Sequence, residues 1–298
     1  MRKVIDGNFL AMLEGRDLQV HSAMNGMFGG NRRSAVYGSS AEFADYRDYT
    51  PGDDLRRIDW NLYARFEKLY LKLFTDERQL HHRIYIDTSA SMDWGEPNKG
   101  DMALKIAAAL GFLSVQAMDR VSFYAISGNT CTDLCRTVMG REAFYSAADT
   151  LNTLEFDGES DIGAAICSQE DPGDGSGISV VISDFLPGSN WKQAVDSLVF
   201  HRRQVHLLQI LSPDELEPDF SGKVLLLDAE AQGEEDPRNL RMDITRSAVR
   251  AYGEALRFCR QELSDYCTAR GGSFTALCSD ESIGKMLFDH AVEGGLVL

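Results

Sequence analysis

Residues 85–92 carry one carboxylate and two hydroxyls at two-residue spacing, directly after a run of apolar residues. The carboxylate is that of Asp87, and the hydroxyls are those of Ser89 and Ser91. Side chains on an extended backbone alternate between two faces, so these three oxygens can converge on one point if the chain stays roughly extended beyond the strand. Convergent hard oxygen donors indicate a hard cation such as Mg²⁺.

The elements that must position these residues alternate between strand and helix from about residue 83 onward. This alternation predicts an α/β fold with a doubly wound, mostly parallel sheet of Rossmann-like type. Two short extended runs between about 222 and 245 predict a β-hairpin insertion. The predicted strands are 83–87, 121–126, 178–183, 205–211 and 273–277. The predicted helices are about 101–118, 141–151, 189–201 and 246–269, with a short one after Asp161 and a last helix from 282.

The N-terminal part, residues 1–80, is predicted to be a separate region beside an α/β domain at 81–298. It begins with a helix within residues 4–28 and continues as a β-rich extension with a strand at 69–74. Residues 43–65 are rich in aromatic and oppositely charged side chains. Two interpretations of this stretch stay open: a surface that contacts a partner, or a buried ion network anchored by a tryptophan. The residues concerned are Arg47, Asp53, Arg56, Asp59 and Trp60.

The charge of the chain restricts its binding partners. The 298 residues have a formal net charge of −16, and residues 1–82 hold 12 Lys and Arg against 12 Asp and Glu, so the whole excess lies after residue 82. Such a chain is not expected to bind nucleic acid, which needs basic residues to neutralise phosphates. No apolar stretch is long enough for a membrane span, and we expect a cytoplasmic protein whose six cysteines stay reduced.

Three loops at strand ends can contribute to one site. In open α/β sheets, ligands gather outside the carboxyl ends of the strands, where neighbouring loops meet. The first loop holds Asp87, Ser89 and Ser91, the second is 158–163, and the third is 183–185 at the end of the most apolar strand. Together these loops form the candidate site.

These residues resemble the metal-ion-dependent adhesion site of von Willebrand factor A-type domains. That pattern is Asp-x-Ser-x-Ser in the first loop, a Thr in the second and an Asp in the third. By this resemblance Asp87, Ser89 and Ser91 match the first loop and Asp184 matches the third. Ser160 stands where the family usually has Thr, and a serine keeps the hydroxyl ligand.

A second motif, residues 46–60 together with Glu77, is similar to the hallmark of the bacterial family known as domain of unknown function 58. The resemblance covers roughly residues 30–298. Members of that family are typically associated with MoxR-type AAA+ ATPases, so the resemblance implies such an ATPase, or its client protein, as the partner.

The ligand types themselves favour binding over catalysis. Two carboxylates and three neutral hydroxyls suit Mg²⁺, or Mn²⁺ in its place, and leave the ion able to accept an acidic group from another protein. We therefore expect a non-enzymatic adaptor.

The main alternative is a metal-dependent hydrolase or phosphatase at the same site. The chain lacks an Asp-x-Asp pair, a Walker A loop and a Gly-x-Ser-x-Gly elbow. His81 and His82 lie about 16–20 Å upstream of Asp87 along a strand, beyond the reach of a general base. A third possibility is a structural domain with a vestigial site.

Overall fold

The computed structural model describes residues 3–15, 42–51, 53–75, 80–169, 177–186, 189–219, 222–226, 229 and 239–283. The chain divides into two compact units, one of residues 1–28 with 80–298 and one of residues 29–79.

The described elements follow each other in the predicted α/β order. The strands are β1 (Glu42–Asp48), β2 (Tyr70–Thr75), β3 (His81–Asp87), β4 (Arg120–Ser127), β5 (Thr130–Val138), β6 (Gly177–Ser183), β7 (Arg203–Leu211), β8 (Gly222–Leu226), β9 (Leu240–Ile244) and β10 (Ser273–Cys278). The helices are α1 (Gly7–Gly15), α2 (Trp60–Phe66), α3 (Lys99–Gln116), α4 (Gly140–Leu151), α5 (Ile162–Cys167), α6 (Trp191–Phe200), α7 (Pro213–Leu216) and α8 (Arg246–Thr268).

Six of these strands form the central sheet of the larger unit, in the order β10-β7-β6-β3-β4-β5. All neighbours pair in parallel except β5, which runs antiparallel to β4 at the edge. The predicted doubly wound, mostly parallel fold is therefore confirmed. Strand β5 was not predicted, because its sequence is mixed polar and apolar, and it follows β4 through a tight turn where Gly128 has a φ of 55°.

Helices cover both faces of this sheet and bury two separate cores. On one face α1, α3 and α4 pack around β3 residues Ile84 and Ile86. On the other face α5, α6 and α8 pack around Tyr85 and Val181. Alternate residues of each parallel strand therefore face different cores, which explains why β6 is buried along its whole length. The helices packed on both faces of the sheet hold in place the strand ends that carry the site.

The two predicted β-rich additions are also present. Strands β1 and β2 pair antiparallel in the smaller unit, and β8 and β9 pair antiparallel in the larger one. Helix α1 packs into the core of the larger unit through Phe9 and Leu13, and Ile5, just before the helix, joins the same core. The division into 1–80 and 81–298 stays a prediction, and the predicted helix from 282 lies almost wholly outside the described residues.

Helix α3 begins at Lys99, two residues before the predicted start. Asn98 is its N-cap, because the side chain accepts a hydrogen bond from the backbone N–H of Asp101. Among the helices that the structure describes, none combines the length and the apolar character needed to cross a bilayer. All six cysteines are free thiols.

Candidate metal centre

The five predicted site residues meet at the carboxyl end of the central sheet. Strand β3 ends at Asp87, and Asp184 directly follows β6. These two strands are parallel neighbours in the sheet, so their carboxyl ends lie side by side. A cleft of about 1410 Å³ lies over this edge of the sheet. Its described lining includes all five residues: Asp87, Ser89, Ser91, Ser160 and Asp184.

Backbone hydrogen bonds hold the second loop against the first. The N–H of Ala90 donates to the carbonyl of Gly158 at 2.9 Å, and the N–H of Asp157 donates to the carbonyl of Thr88 at the same distance. Ser160 itself forms an isolated parallel bridge with Gly128. These bonds place the Ser160 hydroxyl beside Asp87, although the two residues are far apart in sequence.

Asp87 is the centre of the hydrogen-bond network. Its Oδ1 accepts from the Ser89 N–H at 3.0 Å and from the Ser160 hydroxyl at 2.8 Å. Its Oδ2 accepts from the Ser183 hydroxyl at 2.7 Å. Ser183 was not among the predicted ligands, since it is the last residue of an apolar strand, and its hydroxyl faces Asp87 because alternate strand residues share a face.

The Asp87 carboxylate is buried without a basic partner among the described residues. Only 2% of the residue is exposed, and its hydrogen-bond donors are hydroxyls and one amide. Burial, and after it the negative charge of Asp184, raise the pKa of the Asp87 carboxyl above its ordinary value, against the effect of these hydrogen bonds. A cation at this point would relieve both unfavourable effects.

Asp184 differs from Asp87 because a lysine neutralises it. The ammonium of Lys99, which is 0% exposed, donates to Asp184 Oδ2 at 2.9 Å and to Glu215 Oε1 at 2.7 Å. Neither Lys99 nor Glu215 was predicted to belong to the site. Lys99 was placed ahead of the predicted helix, where lysines are usually solvated, and Glu215 belongs to the short helix α7.

Glu215 connects several elements around this lysine. Its side chain and the Ser212 side chain bond each other's backbone N–H groups in a capping box at the start of α7. Its backbone carbonyl accepts a hydrogen bond from the Tyr252 hydroxyl of α8 at 2.7 Å. Glu215, which shares Lys99 with Asp184, is therefore held by hydrogen bonds at both its backbone and its carboxylate.

The hydroxyl spacing suits a small octahedral ion. Adjacent ligands of Mg²⁺ lie about 3.0 Å apart, because each is about 2.1 Å from the ion. The Ser89 and Ser91 hydroxyl oxygens are 3.1 Å apart, and the Ser160 hydroxyl is 2.8 Å from Asp87 Oδ1. The donors present therefore fit Mg²⁺ or Mn²⁺. Among the residues the structure describes, no three His, Cys, Asp or Glu side chains surround a common metal position, so the site depends on hydroxyl ligands.

The cleft around the site is strongly acidic. Its described lining contains no lysine, arginine or histidine. It contains seven carboxylates, those of Asp87, Asp93, Asp157, Glu159, Asp161, Asp184 and Glu215. The surrounding potential therefore attracts cations and repels anions at the approach to Asp87.

The second predicted set of residues lies in the smaller unit and forms no single cluster. Arg47 makes an exposed ion pair with Asp53 at 2.8 Å. Asp59 is the N-cap of α2, and its carboxylate also pairs with Lys72 at 3.1 Å. Trp60 is 61% exposed, so it does not anchor a buried ion network.

Arg56 is exposed and follows the N-cap Asp54 in a 3₁₀ turn. Glu77 and Gly52 lie outside the described residues.

Fold and site together define an α/β domain with a carboxylate and hydroxyl centre at the carboxyl end of its sheet. The chain belongs to the family described as "Protein of unknown function DUF58", whose model matches residues 45–260. A curated relative, "Uncharacterized protein Rv1480" of Mycobacterium tuberculosis, is 30% identical over 265 residues, which cover 86% of this chain and 82% of the relative. The family predicted from residues 46–60 is therefore confirmed.

Solved structures similar to this chain include von Willebrand A domains. A "von Willebrand factor type A" structure from Catenulispora acidiphila is 11% identical, with a TM-score of 0.38, and the match covers 88% of this chain and 51% of that one. A second, "manganese-loaded Plasmodium vivax TRAP protein", is 16% identical with a TM-score of 0.34, over 44% of this chain and 57% of that one. The chain thus spans about half the length of these solved proteins.

Proposed function

We propose that this chain is a metal-dependent protein-interaction module of the cytoplasm and has no enzymatic activity of its own. Asp87, Ser89, Ser91, Ser160 and Asp184 would hold Mg²⁺ or Mn²⁺. A bound divalent cation would offer a coordination position to a carboxylate oxygen of a partner protein. The family resemblance implies a MoxR-type AAA+ ATPase, or its client, as that partner.

The observation that carries this proposal is the environment of Asp87. A carboxylate that is almost fully buried, surrounded by neutral donors and next to a second carboxylate is unfavourable unless a cation compensates it. The hydroxyls beside it are spaced as ligands of one ion. Both features support a cation at this position and not a purely structural carboxylate.

The acidic cleft restricts which partner segments can bind at the site. The cleft that leads to Asp87 is lined by five further carboxylates besides the two in the site, and one of the five, Glu215, is paired with Lys99. Like charges at this distance repel, so the partner segment would need basic residues on either side of its carboxylate. We therefore expect the segment that binds here to combine one acidic residue with flanking Lys or Arg.

The cleft offers little support for the hydrolase alternative. His81 and His82 begin β3, at the opposite end of the strand from Asp87. Two of the carboxylates that could accept a proton are engaged: Asp161 caps α5 and accepts from Asn190, and Asp93 accepts from Asn98. The arrangement suits binding better than general base catalysis.

Thermal unfolding with and without Mg²⁺ tests the proposal. A ligand that binds only the folded state stabilises it by about 2.7 kcal/mol at a hundredfold excess over Kd. Mg²⁺ should therefore raise the Tm of the wild type, and Asp87→Ala should abolish this rise. Asp157→Ala is the matched control, because Asp157 lines the same cleft but is exposed and is not a predicted ligand. Equal Mg²⁺ shifts in wild type and Asp87→Ala would reject the metal site.

The partner is tested separately. A MoxR-type ATPase from the same organism should bind the wild type in Mg²⁺ and be released by EDTA. Asp87→Ala should not bind it, whereas Asp157→Ala should. Binding that is independent of both Mg²⁺ and Asp87 would place the contact elsewhere on the chain.

A further inference from the structure

A second cavity lies at the amino end of the central sheet, remote from the metal centre along β3. Its volume is about 480 Å³, within the range of small-ligand sites. Its lining includes Arg83 and His81 of β3, Tyr124 of β4, and Asp133 and Arg136 of β5. No part of the proposed metal site lines this cavity.

Arg83 is the unusual residue of this cavity. Only 3% of it is exposed, and its Nε and Nη1 atoms are buried without a hydrogen-bond partner. The guanidinium lies 5.9 Å from the centre of the Tyr124 ring, a cation–π contact that satisfies no N–H group. A buried charged group with unused donors is strongly unfavourable, and natural proteins rarely keep one without a reason.

The acidic groups closest to Arg83 do not neutralise it. Burial raises the pKa of the Cys131 thiol to about 12 and moves the pKa of the Tyr85 hydroxyl upward, so both stay protonated and uncharged near neutral pH. The carboxylate of Asp133 is already engaged by Arg136, whose Nε donates to it at 2.6 Å. Among the described residues, no carboxylate forms an ion pair with Arg83.

A second buried guanidinium adds to the positive charge. Arg203 is 4% exposed, and within the described part of the chain its donors reach neutral oxygens: the Ser179 hydroxyl and the carbonyls of His81 and Ile178. Burial and, next, the charges of Arg83, Arg203 and Arg120 lower the pKa of His81 to about 4, so that ring is neutral. Among the described residues, neither of these two buried guanidinium groups pairs with a carboxylate, and the buried Asp119 at the same end of the sheet pairs with His82.

We propose that this cavity binds a small oxyanion, a carboxylate or a phosphate group, whose oxygens accept hydrogen bonds from Arg83. Such a ligand has several acceptor oxygens and a negative charge, and Arg is the side chain best suited to both. The bound group would provide the counter-charge that the described residues around Arg83 lack. This site is independent of the proposed metal centre and of its partner.

The test is thermal unfolding of the full chain in matched ionic strength. Inorganic phosphate and succinate are the two probes, with sodium chloride as the reference. At concentrations well above Kd, at least one probe should raise the Tm of the wild type by about 2–4 °C over chloride, and the more effective probe identifies the oxyanion. Succinate and phosphate that both act no differently from chloride would overturn the proposal.

Variants of Arg83 exclude an unspecific salt effect. Arg83→Met removes an unpaired buried charge and should melt no lower than the wild type without the probe, yet lose the response to it. Arg141→Gln makes the same change of net charge at an exposed residue of α4 and should keep the full response. A response retained by Arg83→Met would overturn the site. If Arg83→Met melts well below the wild type in chloride, Arg83 is a structural residue and the proposal fails.

Discussion

Two buried carboxylates, those of Asp87 and Asp184, lie at the carboxyl end of the central sheet, whereas two buried guanidinium groups, those of Arg83 and Arg203, lie at the amino end. Asp184 has a cation of its own in Lys99, at 2.9 Å. Arg83 has no comparable anion among the described residues. One face of a single strand, β3, carries both Asp87 and Arg83, because residues four apart on a strand point the same way.

The two ends of the sheet therefore differ in how their buried charges are compensated. The carboxyl end is partly neutralised by the chain itself, through a lysine that opens α3. At the amino end the described partners of Arg203 are neutral carbonyls and a hydroxyl, and Arg83 is left with unused donors. Ligand binding should therefore change the stability of each end separately, and the following variants test that separation.

The largest effect is expected at Lys99. Lys99→Met leaves Asp184 and Glu215 without their shared cation, and removal of one partner of a buried ion pair costs about 3–5 kcal/mol. The free energy of unfolding, measured by urea denaturation in EDTA, should fall by that amount. Mg²⁺ should restore part of it, because the ion takes over the neutralisation of Asp184.

The matched control is Lys192→Met. Lys192 pairs with Glu262 on the surface, where both side chains are more than two-fifths exposed, and such pairs contribute about 0–1 kcal/mol. A Lys99→Met protein as stable as Lys192→Met would show that Lys99 is not needed at the carboxyl end.

Acid should destabilise the folded chain through a buried histidine of β7. Burial and the neighbouring charge of His82 lower the pKa of His206 from 6.5 to about 4. The unfolded chain therefore takes up a proton as the pH falls below about 6.5, while the folded chain does so only near pH 4, and stability falls between these values. The loss is at most about 3 kcal/mol. Asp87 acts in the opposite direction, since its raised pKa favours proton uptake by the folded chain.

Urea denaturation between pH 7 and pH 4 measures this slope. His206→Gln removes the titrating ring, and its stability should depend less on pH over this interval than that of the wild type. An unchanged slope in His206→Gln would assign the acid sensitivity to other groups.

The smallest effect is expected from packing at the amino end. A Cβ at Gly177 would lie 2.4 Å from Arg203 Nη1 and 2.5 Å from the backbone oxygen of His81, so Gly177→Ala must displace Arg203 or β3. Overpacking of this kind costs about 1–3 kcal/mol. The Mg²⁺ response should be unchanged, since the proposed metal centre lies at the other end of the sheet.

Gly253→Ala is the control for this substitution. Gly253 lies in α8 with nothing within 4 Å of a built Cβ, so alanine should stabilise the helix slightly. A change in the Mg²⁺ response of Gly177→Ala, and not of Gly253→Ala, would show that the two ends are coupled.

The fold could be predicted because its signals are local. Continuous apolar runs such as 178–183 are typical of central parallel strands, and amphipathic stretches between them indicate covering helices. Strand β5 could not be predicted in this way, since Thr130–Val138 lies at an edge and is only partly buried. Its pairing with β4 depends on a turn at Gly128 and not on its own composition.

From the sequence, only the five residues proposed as ligands could be assigned to the site. Asp87, Ser89 and Ser91 are adjacent in sequence, and strand order brings Ser160 and Asp184 to them. Lys99 and Glu215 could not be found from sequence, because nothing local distinguishes a lysine at a helix start from a solvated one. Arg83 was likewise hidden, since a charged residue within a strand ordinarily points to solvent.

Glu215 links the proposed metal centre to the long helix α8. Its carboxylate holds Lys99, its capping box fixes the first turn of α7, and its carbonyl is held by the Tyr252 hydroxyl. Lys99 can give up Asp184 and still keep one carboxylate, so it would pivot about Glu215 instead of becoming an isolated charge. A displacement of Asp184 would then be transmitted through Lys99 and Glu215 to α8, a helix whose residues are mostly exposed.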